Sequence, residues 1–375
     1  MGSGKTTADV PFLNLSYSHA PLKAAILEEF SSLIDSGAFT NGPPVAVFEQ
    51  AFAEFCGSQH CVGTGSGLDA LRLALIAAGV QPGDEVILPA NTFAATLEAV
   101  IQAGAQPVLA DITDSDYNLD PAGVEAAITP RSRFLLPVHL YGQLADMGAL
   151  TSIARERSLA IIEDACQAHG AERDGFRAGT GGLVGCFSFY PGKNLGAFGD
   201  AGACVTDDEE LASLVRALRE HGQRRKYFHD FEGYTSRLDT IQAIALSHKL
   251  PLLAGWNEER RAAASFYTQA LNGVGDLVLP PVPAGSNPVW HLYVVRTADP
   301  MKLAGFLRER GVGCGHHYPI PLHLLPAYER LGHAHGDFPV TERLADEAIS
   351  LPVFPGISEA QLETVIDAVG DFFRG

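Results

Sequence analysis

Short apolar runs alternate with amphipathic stretches between about residue 60 and residue 206. Such short, nearly continuous apolar runs are typical of strands that are buried on both faces. They predict six strands, at residues 85–89, 107–110, 134–138, 160–163, 185–189 and 203–206. Residues 68–78, which Gly79 and then Pro82-Gly83 follow, predict a helix between two strands. This order of elements predicts an α/β fold with a mostly parallel sheet and helices on both faces.

The pattern changes after a long helical stretch at residues 240–271. Three further elements are predicted, a strand at residues 289–296 and helices at residues 301–310 and 359–373. They are typical of a smaller α+β domain, and a chain of 375 residues is long enough for two domains. We therefore expect a large α/β domain at residues 1–255 and a small C-terminal domain at residues 256–375.

The charge and cysteine content narrow the class of protein. A formal net charge of −18 disfavours nucleic acid and anionic membrane surfaces as partners, because both attract basic proteins. No apolar run is long enough for a membrane span, and the N-terminus carries no apolar targeting segment. The six cysteines are scattered without a CxxC motif, which favours reduced thiols and a cytoplasmic location.

A lysine and an acid follow two of the predicted strands. Lys193 lies in the turn sequence of residues 188–196, and Asp164 lies at the end of the strand at residues 160–163. Because ligands bind at the carboxyl ends of parallel strands, both side chains are expected near one site. A lysine and a carboxylate placed in this way can serve pyridoxal phosphate (PLP), the lysine by forming a Schiff base and the carboxylate by keeping the pyridine nitrogen protonated. Lys193 and Asp164 are therefore the predicted catalytic residues.

Four weaker signals fit the same cofactor. Residues 63–67 (Gly-Thr-Gly-Ser-Gly) precede a helix whose N-terminus favours phosphate, although a tight turn without a ligand explains them equally well. Ser188 offers a hydroxyl to the same phosphate. Phe93 follows a strand and is placed to stack on a pyridine ring, although a lone phenylalanine is more often a core residue. Gln167 is one turn beyond Asp164 and can hydrogen-bond the ring hydroxyl.

Residues 2–7 (Gly-Ser-Gly-Lys-Thr-Thr) imitate the end of a nucleotide-binding P-loop. The full motif needs an earlier glycine, a preceding strand and a following helix. The chain offers no room for the first two, and Pro11 follows soon after. An ATPase is therefore the weakest of the functional hypotheses.

Several histidines near the C-terminus suggest a metal site, namely His316, His317, His323, His333 and His335. They lack cysteine or carboxylate partners at the regular spacing of metal ligands. Substrate contacts or surface positions explain them better, and no metal is predicted.

Several short segments, spread over nearly the whole chain, stand in a specific order and spacing. They are Ser36-Gly37 to Gly42-Pro43, Phe48-Glu49, Pro82 to Val86, Pro89 to Phe93, Val138 to Gly142, the Asp164 and Lys193 segments, Arg237-Leu238-Asp239 and His317-Tyr318-Pro319. Together they resemble the DegT/DnrJ/EryC1/StrS sugar aminotransferases, which are fold-type I PLP enzymes with an aspartate-aminotransferase-like fold.

The resemblance implies roles for individual residues. Lys193 would carry the cofactor and move the proton between cofactor and substrate, and Asp164 would pair with the pyridine nitrogen. The other implied cofactor contacts are Phe93 on the ring, Gln167 at its hydroxyl, and Gly65, Ser66 and Ser188 at the phosphate. It also implies a homodimer in which residues 233–237 reach the partner's active site. Relatives usually carry Asn at the position of Thr235, which has a shorter reach to the phosphate.

The resemblance extends to the substrate, a nucleotide-diphosphate keto sugar (dTDP- or UDP-linked), with an amino acid, L-glutamate, as donor. Gly67-Leu68 and the Lys193 turn are similar to enzymes that aminate C3, whereas C4-acting relatives tend to carry His where Tyr190 stands. Residues 225–229 are similar to a segment that meets the nucleotide diphosphate from the neighbouring subunit. The implied substrate-binding residues are Tyr190, Lys226, Tyr227, His317 and Tyr318.

Three alternatives remain beside this hypothesis. The first is a C4 aminotransferase of the same family. The second is a PLP-dependent sugar dehydratase, which the presence of Lys193 disfavours because those relatives carry His there. The third is a catalytically silent PLP- or sugar-binding regulator, which intact Lys193 and Asp164 disfavour.

Overall fold

The computed structural model describes residues 9–375, and the P-loop-like residues 2–7 lie outside this range. The strands are β1 (His60–Thr64), β2 (Glu85–Pro89), β3 (Gln106–Ala110), β4 (Ser132–Leu135), β5 (Ala160–Asp164), β6 (Glu172–Arg173), β7 (Phe176–Arg177), β8 (Val184–Ser188), β9 (Gly202–Thr206), β10 (Gln223–Arg225), β11 (Phe228–His229), β12 (Ser286–Asn287), β13 (Tyr293–Arg296) and β14 (Ala348–Leu351).

The α-helices are α1 (Leu15–His19), α2 (Lys23–Ser36), α3 (Pro43–Cys56), α4 (Gly67–Ala77), α5 (Ala94–Gln102), α6 (Pro121–Ala127), α7 (Met147–Arg157), α8 (Glu209–Arg219), α9 (Thr240–Lys249), α10 (Leu253–Leu271), α11 (Pro300–Glu309), α12 (Pro339–Glu347) and α13 (Glu359–Arg374). Short 3-10 turns lie at Ala20–Leu22, Leu140–Gly142, Leu250–Leu252, Leu322–Leu324 and Pro326–Leu331. Among these described residues, no helix is both long and apolar enough to cross a membrane.

Seven strands form the central sheet in the order β1-β9-β8-β5-β4-β2-β3. The neighbours from β3 to β8 pair in parallel, whereas β9 pairs antiparallel with both β8 and β1. The predicted mostly parallel sheet is therefore confirmed. The antiparallel pairs lie together at one edge of the sheet.

Both faces of this sheet are buried. In β2, Val86 and Leu88 belong to one apolar cluster and Ile87 belongs to another, because successive side chains of a strand point to opposite faces. Leu71 of α4 lies in the first cluster, and Phe52 of α3 lies in the second. This two-sided burial explains why the strands read as continuous apolar runs in the sequence.

A third apolar cluster lies in the C-terminal part of the chain, where α10, α11 and α13 surround the β13–β14 pair. Val10 joins this cluster, and its backbone pairs with residues 311 and 313. The predicted domain boundary at residue 255 falls inside α10, and the division of the chain there stays a prediction.

Candidate active site

A cavity of about 580 Å³ opens at the carboxyl ends of β5 and β8. Most of the predicted site residues line it, namely Ser66, Phe93, Asp164, Gln167, Ser188, Tyr190, Lys193, His317 and Tyr318. Two other grooves, of about 340 and 590 Å³, contain none of the predicted residues. The larger number of chemically active side chains identifies the first cavity as the candidate active site.

Asp164 is the last residue of β5 and is buried at one side of this cavity. One carboxylate oxygen accepts a hydrogen bond from the Thr96 hydroxyl at 2.7 Å, and the other accepts from the backbone N–H of Cys166 at 3.1 Å. The Thr96 hydroxyl lies 2.9 Å from the Thr92 hydroxyl. These contacts fix the direction of the carboxylate. The sequence reasoning missed Thr96, whose only signal is its place one turn after Phe93.

Lys193 lies in a closed turn between β8 and β9. The turn is closed by hydrogen bonds from Lys193 N–H to the Tyr190 carbonyl (2.8 Å) and from Ala197 N–H to the Phe189 carbonyl (2.7 Å). Gly196 is required here, because a Cβ would lie 2.3 Å from the Pro191 carbonyl oxygen. Burial lowers the pKa of Lys193, and nearby Cys166 and Asp164 oppose this effect. Lowering of the pKa makes the neutral, nucleophilic amine easier to form.

Asn194, the residue after this lysine, anchors the turn. Its side-chain amide donates to the Val289 carbonyl (2.9 Å) and to the Asn257 side chain (3.0 Å), and Asn257 donates to the His169 carbonyl (2.9 Å). Because carbonyl oxygens only accept, these contacts orient both amides. The Asn194 oxygen then faces Nδ1 of His291 at 3.2 Å, so Nδ1 carries the proton.

His291 therefore offers Nε2 as an acceptor at the wall of the cavity. Burial holds the pKa of His291 well below its usual value, and the charge of Lys193 lowers it further. The ring is consequently neutral at physiological pH. The sequence reasoning did not select His291, since nothing in the local pattern separates it from a core histidine.

The N-terminus of α4 lies at the phosphate end of the predicted site. Ser66 caps this helix by accepting from the backbone N–H of Asp69 at 3.1 Å. A Cβ on Gly67 would lie 2.6 Å from Cβ of Ser188, so the helix start and the end of β8 touch. Free N–H groups and two hydroxyls at one point suit a phosphate group. Gly65 donates to the Ser236 carbonyl at 3.1 Å and supports the turn.

Two aromatic rings and an amide line the middle of the cavity. Phe93 exposes 57% of its surface, and its ring centre lies 5.8 Å from that of Tyr318. Gln167 accepts from the backbone N–H of Tyr141 (2.7 Å) and donates to the Tyr318 hydroxyl (3.0 Å). Burial raises the pKa of Tyr318, so the phenol keeps its proton and can donate it to a ligand.

His317 lies beside Tyr318 and is also held in place. Its Nδ1 is 2.8 Å from the Ser350 hydroxyl, and its ring stacks on Phe12 with centres 5.7 Å apart. Burial lowers the pKa of His317 to about 4, and the nearby His316 and Lys193 contribute. The ring is therefore neutral. Phe12 lines the cavity as well, and it was not among the predicted site residues.

Besides Gly65, three predicted site residues lie outside the lining of this cavity. Lys226 and Tyr227 are on the exposed hairpin of β10 and β11, where Tyr227 exposes 79% of its surface. The Thr235 hydroxyl lies 3.0 Å from Nε2 of His221. Their predicted contacts were assigned to a neighbouring subunit, and those roles stay predictions.

The C-terminal histidines do not converge on one point, although His323 and His335 both contact Glu342. Nε2 of His316 is 2.7 Å from the Ala345 carbonyl oxygen, and His323 pairs with Glu342 at 2.9 Å. Within residues 9–375, no group of three or more His, Cys, Asp or Glu side chains is placed to hold a metal ion.

The cavity fits PLP. It combines an amine with a lowered pKa, an anchored carboxylate, an exposed aromatic ring and two hydroxyls at a helix N-terminus. Lys193 would hold the cofactor covalently, Asp164 would face the ring nitrogen, and Ser66 and Ser188 would bind the phosphate. The tight approach of Gly67 to Ser188 brings the start of α4 next to the Ser188 side chain.

The sequence of this chain is similar to those of known sugar aminotransferases. Residues 21–370 match the model of the DegT/DnrJ/EryC1/StrS aminotransferase family. The chain is 46% identical over 372 residues to dTDP-3-amino-3,4,6-trideoxy-alpha-D-glucose transaminase of Streptomyces venezuelae, covering 99% of this chain and 98% of the relative. It is 43% identical over 368 residues to UDP-N-acetyl-3-dehydro-alpha-D-glucosamine 3-aminotransferase of Acidithiobacillus ferrooxidans, covering 98% of each. It is also 44% identical over 368 residues to a Geobacillus stearothermophilus protein named pleiotropic regulatory protein, covering 98% and 99%.

Solved structures show the same similarity. The crystal structure of S. venezuelae DesV in complex with a ketimine intermediate matches with a TM-score of 0.96 and 46% identity, covering 98% of this chain and 99% of DesV. NtdA of Bacillus subtilis with bound cofactor PMP matches with a TM-score of 0.92 and 31% identity, covering 100% and 87%.

Proposed function

Because this chain belongs to the DegT/DnrJ/EryC1/StrS aminotransferase family, we propose that it transfers an amino group from L-glutamate to C3 of a nucleotide-linked 3-keto hexose. Its cofactor is PLP. The observation that carries the proposal is the single cavity lined by the Lys193 amine and the anchored Asp164 carboxylate. The names of two relatives support C3 as the sugar carbon that receives the amino group, since they describe transaminases acting at C3 of dTDP- and UDP-linked sugars.

When bound, PLP supplies an electron-accepting ring that makes amino transfer possible. Asp164 would hold the ring nitrogen protonated, with Thr96 and the Cys166 N–H keeping the carboxylate aimed at it. Lys193 would hold the cofactor and, once released, take a proton from one reacting carbon and return it to another. The lowered pKa of Lys193 favours this role, because a base must be neutral before it accepts a proton.

Other side chains that line the cavity would bind the sugar. Tyr318 can donate a hydrogen bond through its protonated phenol, and neutral His291 can accept one through Nε2. Tyr190 exposes 58% of its surface at the mouth of the cavity and offers a hydroxyl to the diphosphate. These groups together would orient one ring carbon toward the cofactor.

We expect a purified sample to aminate a 3-keto nucleotide sugar at least about tenfold faster than the 4-keto isomer, because only one ring carbon reaches attack distance in a given pose. The assay incubates the holoenzyme with glutamate and each keto sugar, and mass spectrometry identifies the amino sugar. Comparable or faster turnover of the 4-keto sugar would contradict the C3 assignment and leave the aminotransferase activity intact.

The proposal includes a homodimer. Large apolar side chains are exposed on three helices and one connection. They are Leu27 and Ile34 on α2, Phe39 between α2 and α3, Val47 on α3, and Ile241 on α9. These helices pack on one another through α9, so the side chains belong to one region. Exposed apolar surface of this kind is typical of a subunit interface. The exposed hairpin carrying Lys226 and Tyr227 would then contact the sugar diphosphate in the partner's site.

A mixing experiment tests the shared site. We expect Lys193→Ala and the double variant Lys226→Ala/Tyr227→Ala each to be inactive toward the nucleotide sugar. After the two are unfolded and refolded together, hybrid dimers contain one intact site, so activity should return to about a quarter of wild type. Hybrid dimers that form without any recovered activity would show that the hairpin serves its own subunit.

A regulatory protein is the second candidate, because a relative of similar identity carries the name pleiotropic regulatory protein. The two functions differ in the amino-donor step. Addition of glutamate to the holoprotein changes the visible absorbance of the cofactor only if the site is catalytically competent. An unchanged spectrum would favour the regulator.

We also assign the enzyme to the cytoplasm. The support is that all six cysteines are unpaired thiols, namely Cys56, Cys61, Cys166, Cys186, Cys204 and Cys314. Most of them are buried as small apolar residues.

A further inference from the structure

A buried lysine outside the cavity contacts the turn that carries Lys193. Lys249, the last residue of α9, exposes 2% of its surface. Its ammonium donates to the Gly196 carbonyl, lies 2.9 Å from Nε2 of His19, and sits 4.9 Å from the centre of the Phe198 ring. In the part of the chain that the structure describes, no carboxylate forms an ion pair with it.

The contact with Gly196 is made where the turn closes. Gly196 touches the Pro191 carbonyl so closely that no larger residue fits, and Ala197 returns to Phe189 by a backbone hydrogen bond. A shift of the Gly196 carbonyl is therefore transmitted through the rigid turn to Lys193. On its other side, Lys249 contacts His19 of α1, which follows the segment that supplies Phe12 to the cavity.

A buried positive charge on Lys249 is energetically unfavourable. Transfer of an ammonium from water into the interior is unfavourable without an anionic partner. Burial lowers the pKa of Lys249 to about 8, and burial together with Lys249 lowers that of His19. If the position only filled space, an uncharged side chain such as methionine would serve better. The presence of an amine at this position indicates a role for its hydrogen bonds.

We propose that Lys249 is a positioning residue for Lys193, holding the closed end of the turn through the Gly196 carbonyl and tying it to α1 through His19. The proposal rests on the proposed function, in which Lys193 holds the cofactor and moves the proton. Two anchors then fix the turn. Asn194 is held through Asn257 on one side, and Gly196 is held through Lys249 on the other.

The variant Lys249→Met tests the proposal, since the methionine side chain is nearly as long as that of lysine and has no hydrogen-bond donor. We expect kcat to fall by about 10- to 100-fold, because small displacements of a catalytic group cost this much. KM for the keto sugar should stay within about twofold, since Lys249 does not line the cavity. The pH titration of the visible absorbance of bound PLP should also shift, because this absorbance depends on how Lys193 is placed against the cofactor.

Leu271→Ala is the matched control. Leu271 is fully buried in the C-terminal cluster and contacts neither the turn nor the cavity. It should lower the melting temperature while leaving kcat and the absorbance titration as in wild type, so it shows what a loss of stability alone does to both measurements. Lys249→Gln keeps one amide donor for Gly196 and should give a kcat between those of wild type and Lys249→Met.

A Lys249→Met enzyme with wild-type kcat and an unchanged absorbance titration would overturn the proposal. If that variant does not fold, Lys249→Leu, which also lacks a donor, decides the question, since a wild-type kcat and titration there would overturn the proposal equally. The absorbance titration needs only the cofactor. If wild type aminates no keto sugar, the proposed function fails while the titration still tests the placement of Lys193.

Discussion

Replacement of Lys193 with alanine is expected to abolish turnover, with a loss of at least about 10⁴-fold, the upper range for removal of a general acid–base group. The variant should also lose the visible absorbance that arises from the covalent lysine–cofactor bond. Burial disfavours the charged form of Lys193, so its removal should not destabilise the fold. Absorbance spectra, steady-state kinetics and a thermal melt of the same sample measure all three effects.

Lys302→Ala provides the control for this variant. Lys302 is exposed on α11 and pairs with Asp299 at 2.9 Å, far from the cavity lining. Its loss should leave spectrum and turnover unchanged. Borohydride reduces a lysine–cofactor bond to a permanent one. A Lys193→Ala protein that still yields the wild-type amount of reduced adduct would show that another lysine carries the cofactor.

The second large effect is expected for Asp164→Asn. Asparagine keeps the size of the side chain, and it can accept from the Cys166 N–H through its oxygen while its NH2 group donates to the Thr96 hydroxyl, which can accept as well as donate. It carries no negative charge to hold the ring nitrogen protonated. We therefore expect kcat to fall by roughly 10²- to 10³-fold, the range for loss of one preorganised electrostatic group. Affinity for PLP should fall as well, measured by titration of the apoenzyme.

Glu85→Gln is the matched control for Asp164. Glu85 is also buried, but it begins β2 at the opposite end of the sheet, where it pairs with Arg131. Its loss should reduce stability without changing the cofactor spectrum. Equal loss of activity in both variants would mean that Asp164 acts through the fold and not through the cofactor.

The sequence pattern located the sheet because its strands are buried on both faces. Five predicted strands agree with the observed ones within one residue at each end, and the sixth, residues 134–138, is observed as β4 at Ser132–Leu135. Strand β1 was not predicted, since its sequence His-Cys-Val-Gly-Thr is weakly apolar and it forms by pairing with β9. The helical stretch at residues 240–271 divides into α9 and α10 at Leu250–Leu252, where Pro251 interrupts the helix.

The strand predicted at residues 289–296 shows why a local sequence pattern does not predict the structure close to the active site. Only Tyr293–Arg296 pairs with β14. The preceding residues pair with a loop, as Val289 N–H donates to the Gly142 carbonyl and His291 joins the Asn194 network. These contacts bring together segments far apart in the chain. No periodicity within residues 289–292 reports them.

The same reason separates the site residues that were predicted from those that were not. Asp164 and Ser188 lie at the carboxyl ends of strands and Lys193 lies in the turn that follows one, so the rule for carboxyl ends of parallel strands applied to them. Thr96, His291 and Lys249 act through partners more than forty positions away in the chain. Only the folded structure shows those contacts.

The N-terminal segment and residues near the C-terminus both contribute to the cavity. Phe12 stacks on His317, Val10 pairs with residues 311 and 313, and Val353 forms part of the cavity wall. During synthesis on the ribosome, the sheet that carries Asp164 and Lys193 emerges long before His317 and Val353. The cavity is therefore completed only when nearly the whole chain has been released from the ribosome. We therefore expect stable capture of the cofactor only after synthesis, since an unfinished chain has the reactive lysine without the wall that covers it.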